Sequence, residues 1–250
     1  MTKTLRSIAL LALFSFLTMS CSNSSGPSAT TGVSLTMSAT TPTGTTTIGG
    51  RAATASTTTV TLSDVKVNVK DIHFDYDHQD EHFKKDSAYH DDGQQRLKGP
   101  YIVDLLNGGA FADQVIASLN VPNAKYERVS FKVAPSLMDG DMKGKSISVT
   151  GTVGTKPFVF WHNGDTRFGA KFNDSTSLAA AGSAVKVAIH LEMDRFLSVV
   201  NGGVDLSLAK DGNNDGTISI YPNDPDGNSD LSDKIFWLLR HRLHCEKKKG

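Results

Sequence analysis

The stretch TVTLSDVKVNVKDIHFDYD, from Thr59 to Asp77, decides the fold class because its apolar and polar residues alternate. Residues two apart on a β-strand share a face. The apolar residues therefore form three sets: Val60 and Leu62; Val65, Val67 and Val69; Ile72, Phe74 and Tyr76. The phase slips between the sets, and a slip of one residue moves side chains to the other face. The pattern predicts either bulges near Asp64 and Asp71 or a strand that crosses between two sheets.

The rest of the chain extends this β pattern. Strands are predicted over residues 33–37, 101–105, 126–133, 146–153, 157–161, 167–172, 184–193 and 204–208. Short strands separated by Gly, Asn and Asp turns predict a mainly β fold, an antiparallel β-sandwich or a barrel-like domain. Helical spacing of apolar residues predicts one short helix over 111–119 and an amphipathic C-terminal helix over 229–244.

The N-terminus has the pattern of a secretory signal over residues 1–20. Lys3 and Arg6 precede an apolar run over 8–17, which is too short to span a bilayer. The exit Thr18-Met19-Ser20-Cys21 resembles the lipobox of bacterial lipoproteins, in which the cysteine becomes the lipidated N-terminus. We expect a protein anchored to a membrane by lipid on Cys21. The alternative is ordinary signal cleavage, with Cys21 left as a thiol.

Composition limits the organisation and partners of the mature chain. Residues 21–32 predict a flexible tether, and 33–250 a single mainly β domain. Removal of residues 1–20 leaves 24 basic and 26 acidic residues, a net charge of −2 that argues against nucleic acid as a partner. We expect a location in the cell envelope, in the outer membrane facing the periplasm or the cell surface. Another envelope component or a polysaccharide is the expected partner.

The oxygen-rich segment 211–226 matches much of an EF-hand calcium loop. Asp211, Asn213 and Asp215 occupy positions 1, 3 and 5, and Gly216 occupies the turn position 6. The further candidate ligands are Thr217, Ser219, Asp224 and Asp226. Pro222 stands at position 12, where the motif has a bidentate carboxylate, so the expected affinity is weak, on the order of 10⁻⁴–10⁻³ M. The alternative is a hairpin turn in which 204–208 pairs with 217–220.

Histidines provide a second metal hypothesis. The predicted insertion over 73–98 is rich in His and Asp, and His78 and His82 have the spacing that places zinc or copper ligands on one helical face. The alternative is a solvated insertion between strands. No nucleophile or cofactor motif accompanies His190 and Glu192, so we expect a non-catalytic protein, with a cryptic hydrolase as a third hypothesis.

Four segments resemble bacterial envelope lipoproteins that carry the domain of unknown function 4382. They are VTLSDVKVNVKDIHFDYD, GPYIVDLLNGG, NVPNAKYERVSFKV and DGNNDGTISIYPNDPDGNSDLSDKI. The first three give a match over residues 58–136, and the last extends it more loosely. The resemblance implies β architecture and an envelope location, and it supplies no catalytic residue.

Overall fold

The computed structural model describes residues 30–40, 45–49, 57–76, 95–107, 110–122, 126–171, 185–193, 197, 202–242 and 244–248. The predicted signal and Cys21 lie outside the described residues, and so do His78 and His82.

The described chain is mainly β, as predicted, and its two principal sheets are not closed into a barrel. Its strands are β1 (Thr30–Thr40), β2 (Thr45–Gly49), β3 (Thr57–Tyr76), β4 (Gln95–Leu97), β5 (Tyr101–Asp104), β6 (Leu106–Asn107), β7 (Ala110–Phe111), β8 (Gln114–Pro122), β9 (Tyr126–Val133), β10 (Ile147–Val153), β11 (Lys156–His162), β12 (Thr166–Lys171), β13 (Val185–Glu192), β14 (Ile218–Ile220) and β15 (His244–Lys248). A helix, α1 (Ser229–Arg242), follows β14.

Strand β3 organises the larger sheet and carries both predicted bulges. Its register against β10 shifts beside Asp64, and its register against β9 shifts beside Asp71, which has a φ of +50°. The described apolar side chains of all three sequence sets are buried: Val60, Leu62, Val65, Val67, Val69, Ile72 and Phe74. The bulges therefore keep one apolar face toward the core over the length of the strand.

Asn68 marks the point where β3 changes partner from β10 to β9. Its backbone N–H donates to the Ser146 carbonyl at 2.9 Å, and its Nδ2 donates to the Ala134 carbonyl at 2.7 Å. Asn68 is fully buried, so these bonds satisfy backbone groups at the junction that no ladder partner reaches. The pairing order of the larger sheet is β12-β9-β3-β10-β11-β14. Strands β10 and β9 pair with successive parts of one edge of β3, and β2, β4 and β5 pair with its other edge.

The smaller sheet has the order β15-β13-β1-β8. Strand β1 runs parallel to β13 and antiparallel to β8. Buried side chains of both sheets belong to one hydrophobic core, which includes Leu35 and Ile189 from the smaller sheet and Phe131 and Phe160 from the larger. This two-sheet arrangement agrees with the sandwich prediction, although parallel pairs make the sheets mixed.

Helix α1 packs its apolar face against the β11 and β14 edge of the larger sheet. Ile235, Leu238 and Leu239 are buried, as expected for the predicted amphipathic helix, and Phe236 stacks on the His162 ring with centroids 4.0 Å apart. The helix ends at Arg242 rather than at residue 244, because the chain turns to form β15 against β13.

Two predicted elements are wrong. Residues 111–119 are not a helix, because β8 forms its backbone hydrogen bonds with β1, far away in sequence. Residues 204–208 are not a strand but include a short 3-10 helix, Leu206–Leu208, and β14 pairs in parallel with β11. The hairpin interpretation of 204–220 is therefore wrong as well.

Two predicted boundaries also need correction. Strand β1 begins at Thr30, so residues 30–32 belong to the sheet rather than to the tether. The His/Asp-rich insertion is shorter than 73–98, because β3 continues to Tyr76 and β4 covers Gln95–Leu97. In both places a strand extends past the last clear alternation, since backbone pairing does not require apolar side chains.

Candidate metal site

The first half of the oxygen-rich loop is built from side chains that cap their own backbone. Asn213 Oδ1 accepts the Asp215 N–H at 2.9 Å, and Asp215 Oδ1 accepts the Thr217 N–H at 2.8 Å. Such bonds to a residue two positions on are characteristic of Asx turns. Asn214 and Gly216 have φ values of +57° and +90°, which fold the loop sharply. Gly216 therefore has the conformation required at the turn position of a calcium loop.

Asp226 holds the two halves of the loop together. Its carboxylate accepts the N–H of Asn213 at 3.1 Å and that of Ser219 at 2.6 Å. Burial alone would raise the pKa of Asp226, but backbone donors at Ser219, Asn213 and Gly212 and the Ser219 hydroxyl lower it below the ordinary value. Asp226 is therefore ionised and holds the loop together through hydrogen bonds, one of which comes from the Ser219 hydroxyl.

Asp224 also accepts backbone hydrogen bonds, but with only one of its carboxylate oxygens. Its Oδ1 accepts the N–H groups of Asp226 at 2.8 Å and Asn228 at 3.0 Å. The residue is 8% exposed, and its Oδ2 is buried with no hydrogen-bond partner within the described residues. Asp224 therefore has one carboxylate oxygen that protein donors leave unused.

Asp211 shows the same division between its two oxygens. Its Oδ2 accepts from Lys156 Nζ at 3.0 Å, whereas its Oδ1 is buried and lacks a partner within the described chain. The Asp211 side chain is 6% exposed and that of Lys156 is 56% exposed. The lysine approaches from solvent, so it can withdraw without repacking the core.

Asn228 joins the loop to the start of α1. Its Nδ2 donates to the carbonyls of Lys210 and Ser219, both at 2.7 Å, and its Oδ1 accepts the Lys210 N–H at 3.0 Å. Its backbone carbonyl accepts from Leu231 and Ser232 in the first turn of α1. Sequence reasoning missed Asn228 and Lys156. An Asn directly before a helix is a recognisable signal for a helix cap, whereas an isolated Lys on a strand gives no signal of a role in the loop.

The predicted ligands differ in whether their side-chain oxygens are already hydrogen-bonded within the loop. Asn213 and Asp215 bind each other, with Nδ2 to Oδ2 at 2.9 Å, and Asp226 and Ser219 are committed to loop hydrogen bonds. Asp211 and Asp224 present buried unpartnered oxygens. No group of three or more His, Cys, Asp or Glu side chains in the described ranges is arranged to hold a metal ion. A hard cation here would therefore take at most two carboxylates, with amide, carbonyl and water oxygens as the remainder.

The histidines of the described residues belong to no group of three or more side chains that could hold a metal ion. His78 and His82 lie outside it, so their zinc or copper binding stays a prediction. His241 belongs to α1 and its ring nitrogen donates to the Trp237 carbonyl at 2.7 Å, while His244 begins β15. The His190 ring shares a hydrogen bond of 2.8 Å with the Ser38 hydroxyl.

Comparisons with known proteins add no relative. No protein-family model, curated protein or solved structure matches the chain. The resemblance to the domain of unknown function 4382 therefore stays a prediction from the quoted motifs. In the part of the chain that the structure describes, no helix combines the length and apolar character needed to cross a membrane.

Proposed function

We propose that this chain is a non-catalytic module of a bacterial cell envelope, tethered through lipid on Cys21 and stabilised by a calcium ion in loop 211–226. The observation that carries the calcium proposal is the pair of buried, unpartnered carboxylate oxygens, Asp211 Oδ1 and Asp224 Oδ2. A buried polar atom without a partner costs about 1–3 kcal/mol, so its presence calls for a compensating ligand.

Calcium is the cation that suits these oxygens best. It prefers carboxylate, amide and carbonyl oxygens in a flexible geometry, and the loop is rich in all three. A site with at most two carboxylates has a dissociation constant on the order of 10⁻⁴–10⁻³ M, a range typical of extracellular modules. Such affinity suits a structural ion outside the cell rather than a cytoplasmic sensor.

The bound ion would stabilise the connection between β14 and α1. Asp224 accepts from Asn228, which in turn bonds to Ser219 of β14 and carries the first turn of α1. An ion on Asp224 Oδ2 neutralises a buried charge at the centre of this network. The calcium-bound protein is therefore more resistant to unfolding, with no change of fold.

The test compares thermal unfolding of the purified protein in calcium, in magnesium and in chelator. We expect calcium to raise the melting temperature and magnesium to do so less, because magnesium requires a stricter octahedral geometry. The double variant Asp211→Asn with Asp224→Asn is expected to lose the calcium response. The matched control, Asp139→Asn with Asp165→Asn, alters carboxylates outside the loop and is expected to keep it.

The envelope location has its own test. Incorporation of a labelled fatty acid into the full chain in a bacterial host, lost in Cys21→Ser, supports the lipid anchor. Release of the protein from the membrane fraction with no label on the wild-type chain contradicts it. A positive calcium result with a negative lipid result would leave a secreted calcium-stabilised module.

A further inference from the structure

We propose that the outer face of β3, β9 and β12 forms a binding groove for a small oxyanion, a carboxylate or phosphate group of an envelope ligand. The groove has a volume of about 620 Å³ and is lined by His73, Asp75, Arg128, Ser130, Arg167, Phe168 and Gly169. Small-molecule sites in proteins span about 300–1,000 Å³, so the space suits a ligand of monosaccharide size.

Strand register brings these polar side chains together. His73 lies opposite Ser130 and Asp75 opposite Arg128 between β3 and β9. Gly169 lies opposite Ser130 between β9 and β12. The intervening residues Ile72, Phe74, Val129 and Phe131 are buried on the core face. The polar row is therefore a consequence of strand alternation, and it faces away from the core.

A glycine makes the depression in this face. A Cβ added at Gly169 would lie 3.4 Å from Arg128 Cδ and 3.6 Å from Ser130 Cβ, which are ordinary contact distances. Gly169 is exposed and needs no positive φ, so neither packing nor backbone conformation requires a glycine there. The absence of a side chain at Gly169 leaves space between β9, which carries Arg128, and β12, which carries Arg167.

The charges of the groove favour a negative ligand. Arg128 Nε donates to Asp75 Oδ2 at 2.7 Å, so that pair is neutral and holds the Arg128 guanidinium in place. Arg167 Nη1 donates to the Ser130 hydroxyl at a long 3.4 Å, and Arg167 forms no ion pair within the described residues. Arg167 therefore contributes a positive charge to the groove lining that no carboxylate of the described residues neutralises.

The geometry of the donors points to an oxyanion rather than to a halide or a neutral sugar. Guanidinium groups present two parallel N–H donors that match the oxygens of carboxylate or phosphate. The Ser130 hydroxyl lies beside Arg167 and can donate to a third oxygen. Carboxylate and phosphate share this chemistry, and both occur on envelope saccharides.

Chemical-shift titrations of ¹⁵N-labelled protein test the proposal at fixed ionic strength and saturating calcium. The probes are inorganic phosphate, glucuronate and glucose. We expect phosphate, glucuronate or both to shift the amides of Ser130, Arg167 and Gly169 with a saturable curve. A response to phosphate alone identifies a phosphoryl ligand, and a response to glucuronate alone a uronate. Equal shifts with glucose, or none with either anion, would overturn the proposal.

Three variants distinguish a built site from general attraction of anions. Arg167→Ala is expected to weaken binding at least tenfold, and Gly169→Val to do the same by filling the space. Lys132→Ala is the matched control, because Lys132 lies opposite Arg167, carries the same charge and is already paired with Asp165 at 3.1 Å. It is expected to change affinity less than twofold. Equal losses in Lys132→Ala and Arg167→Ala would reduce the effect to net charge and refute the groove.

Discussion

Replacement of Asp224 by asparagine separates the hydrogen-bonding role of this residue from its proposed role as a calcium ligand. Asparagine keeps an oxygen at the Oδ1 position, where Asp224 accepts the N–H groups of Asp226 and Asn228. It places an NH₂ group at the position of the buried, unpartnered Oδ2. The substitution therefore preserves the turn and removes the oxygen that a calcium ion would bind.

The expected effect without calcium is small. Two hydrogen bonds lose charge assistance, which is destabilising, and a buried carboxylate charge disappears, which is stabilising. The two terms are of similar size and opposite sign. We expect the unfolding free energy in chelator to change by less than about 1 kcal/mol.

The expected effect with calcium is larger. For a dissociation constant on the order of 10⁻⁴–10⁻³ M and about 10 mM calcium, binding stabilises the native state by roughly 1.4–2.7 kcal/mol. In a domain of this size that corresponds to a rise in melting temperature of roughly 3–10 °C. Asp224→Asn is expected to lose this rise.

The assay is thermal unfolding followed by circular dichroism, with each protein measured in chelator and in calcium. Asp139→Asn serves as the control, because Asp139 is 91% exposed and its one ion pair within the described residues is the i,i+4 pair with Lys143. Equal destabilisation of Asp224→Asn with and without calcium would show that Asp224 is only a hydrogen-bond hub. A wild-type protein that melts at one temperature in both conditions would refute calcium binding altogether.

Three further substitutions test separate parts of the structure. Asp226→Asn should lower the unfolding free energy by about 2–4 kcal/mol at neutral pH. Because the pKa of Asp226 is depressed in the folded protein, the wild type loses this extra stability as pH falls below about 4. Urea titrations across pH should therefore show the unfolding free energies of the two proteins converging at low pH. Lys156→Met removes the cation beside Asp211, so calorimetry should show about tenfold tighter calcium binding, and an unchanged affinity would exclude Asp211 as a ligand. Gly151→Ala should destabilise by about 3 kcal/mol in urea unfolding, because its Cβ would collide with the Thr61 carbonyl, and a cost below about 1 kcal/mol would contradict the bulge geometry.

The sequence predicted the central strand well because its signals are local. Burial alternates with period two through β3, and the bulges at Asp64 and Asp71 appear directly as slips of that phase. The helix predicted over 111–119 failed because Phe111, Val115 and Leu119 have helical spacing by coincidence. Val115 is 62% exposed, while Ile116 is buried. The pairing of β8 with β1 decides the outcome, and it is not encoded within the segment itself.

The candidate sites show the same limit. Oxygen-rich composition indicated the loop, but not which oxygens remain unpartnered, since that depends on Lys156 and Asn228 from outside it. The groove gave no sequence signal at all, because Arg167 and Ser130 look like ordinary exposed strand residues. Only the register between β9 and β12 brings them together.

The loop supports the β14 end of the larger sheet. Strand β14 contributes three residues in parallel to β11, and so short a parallel pairing has little stability of its own. The Ser219 N–H donates to Asp226 Oδ2, and Asn228 Nδ2 donates to the Ser219 carbonyl. These two bonds add to the short ladder, and α1 covers the same strands. Strand β12, which carries Arg167, lies at the opposite end of the strand order. Calcium beside β14 and an oxyanion beside β12 therefore act on different strands, and each proposal can fail without the other.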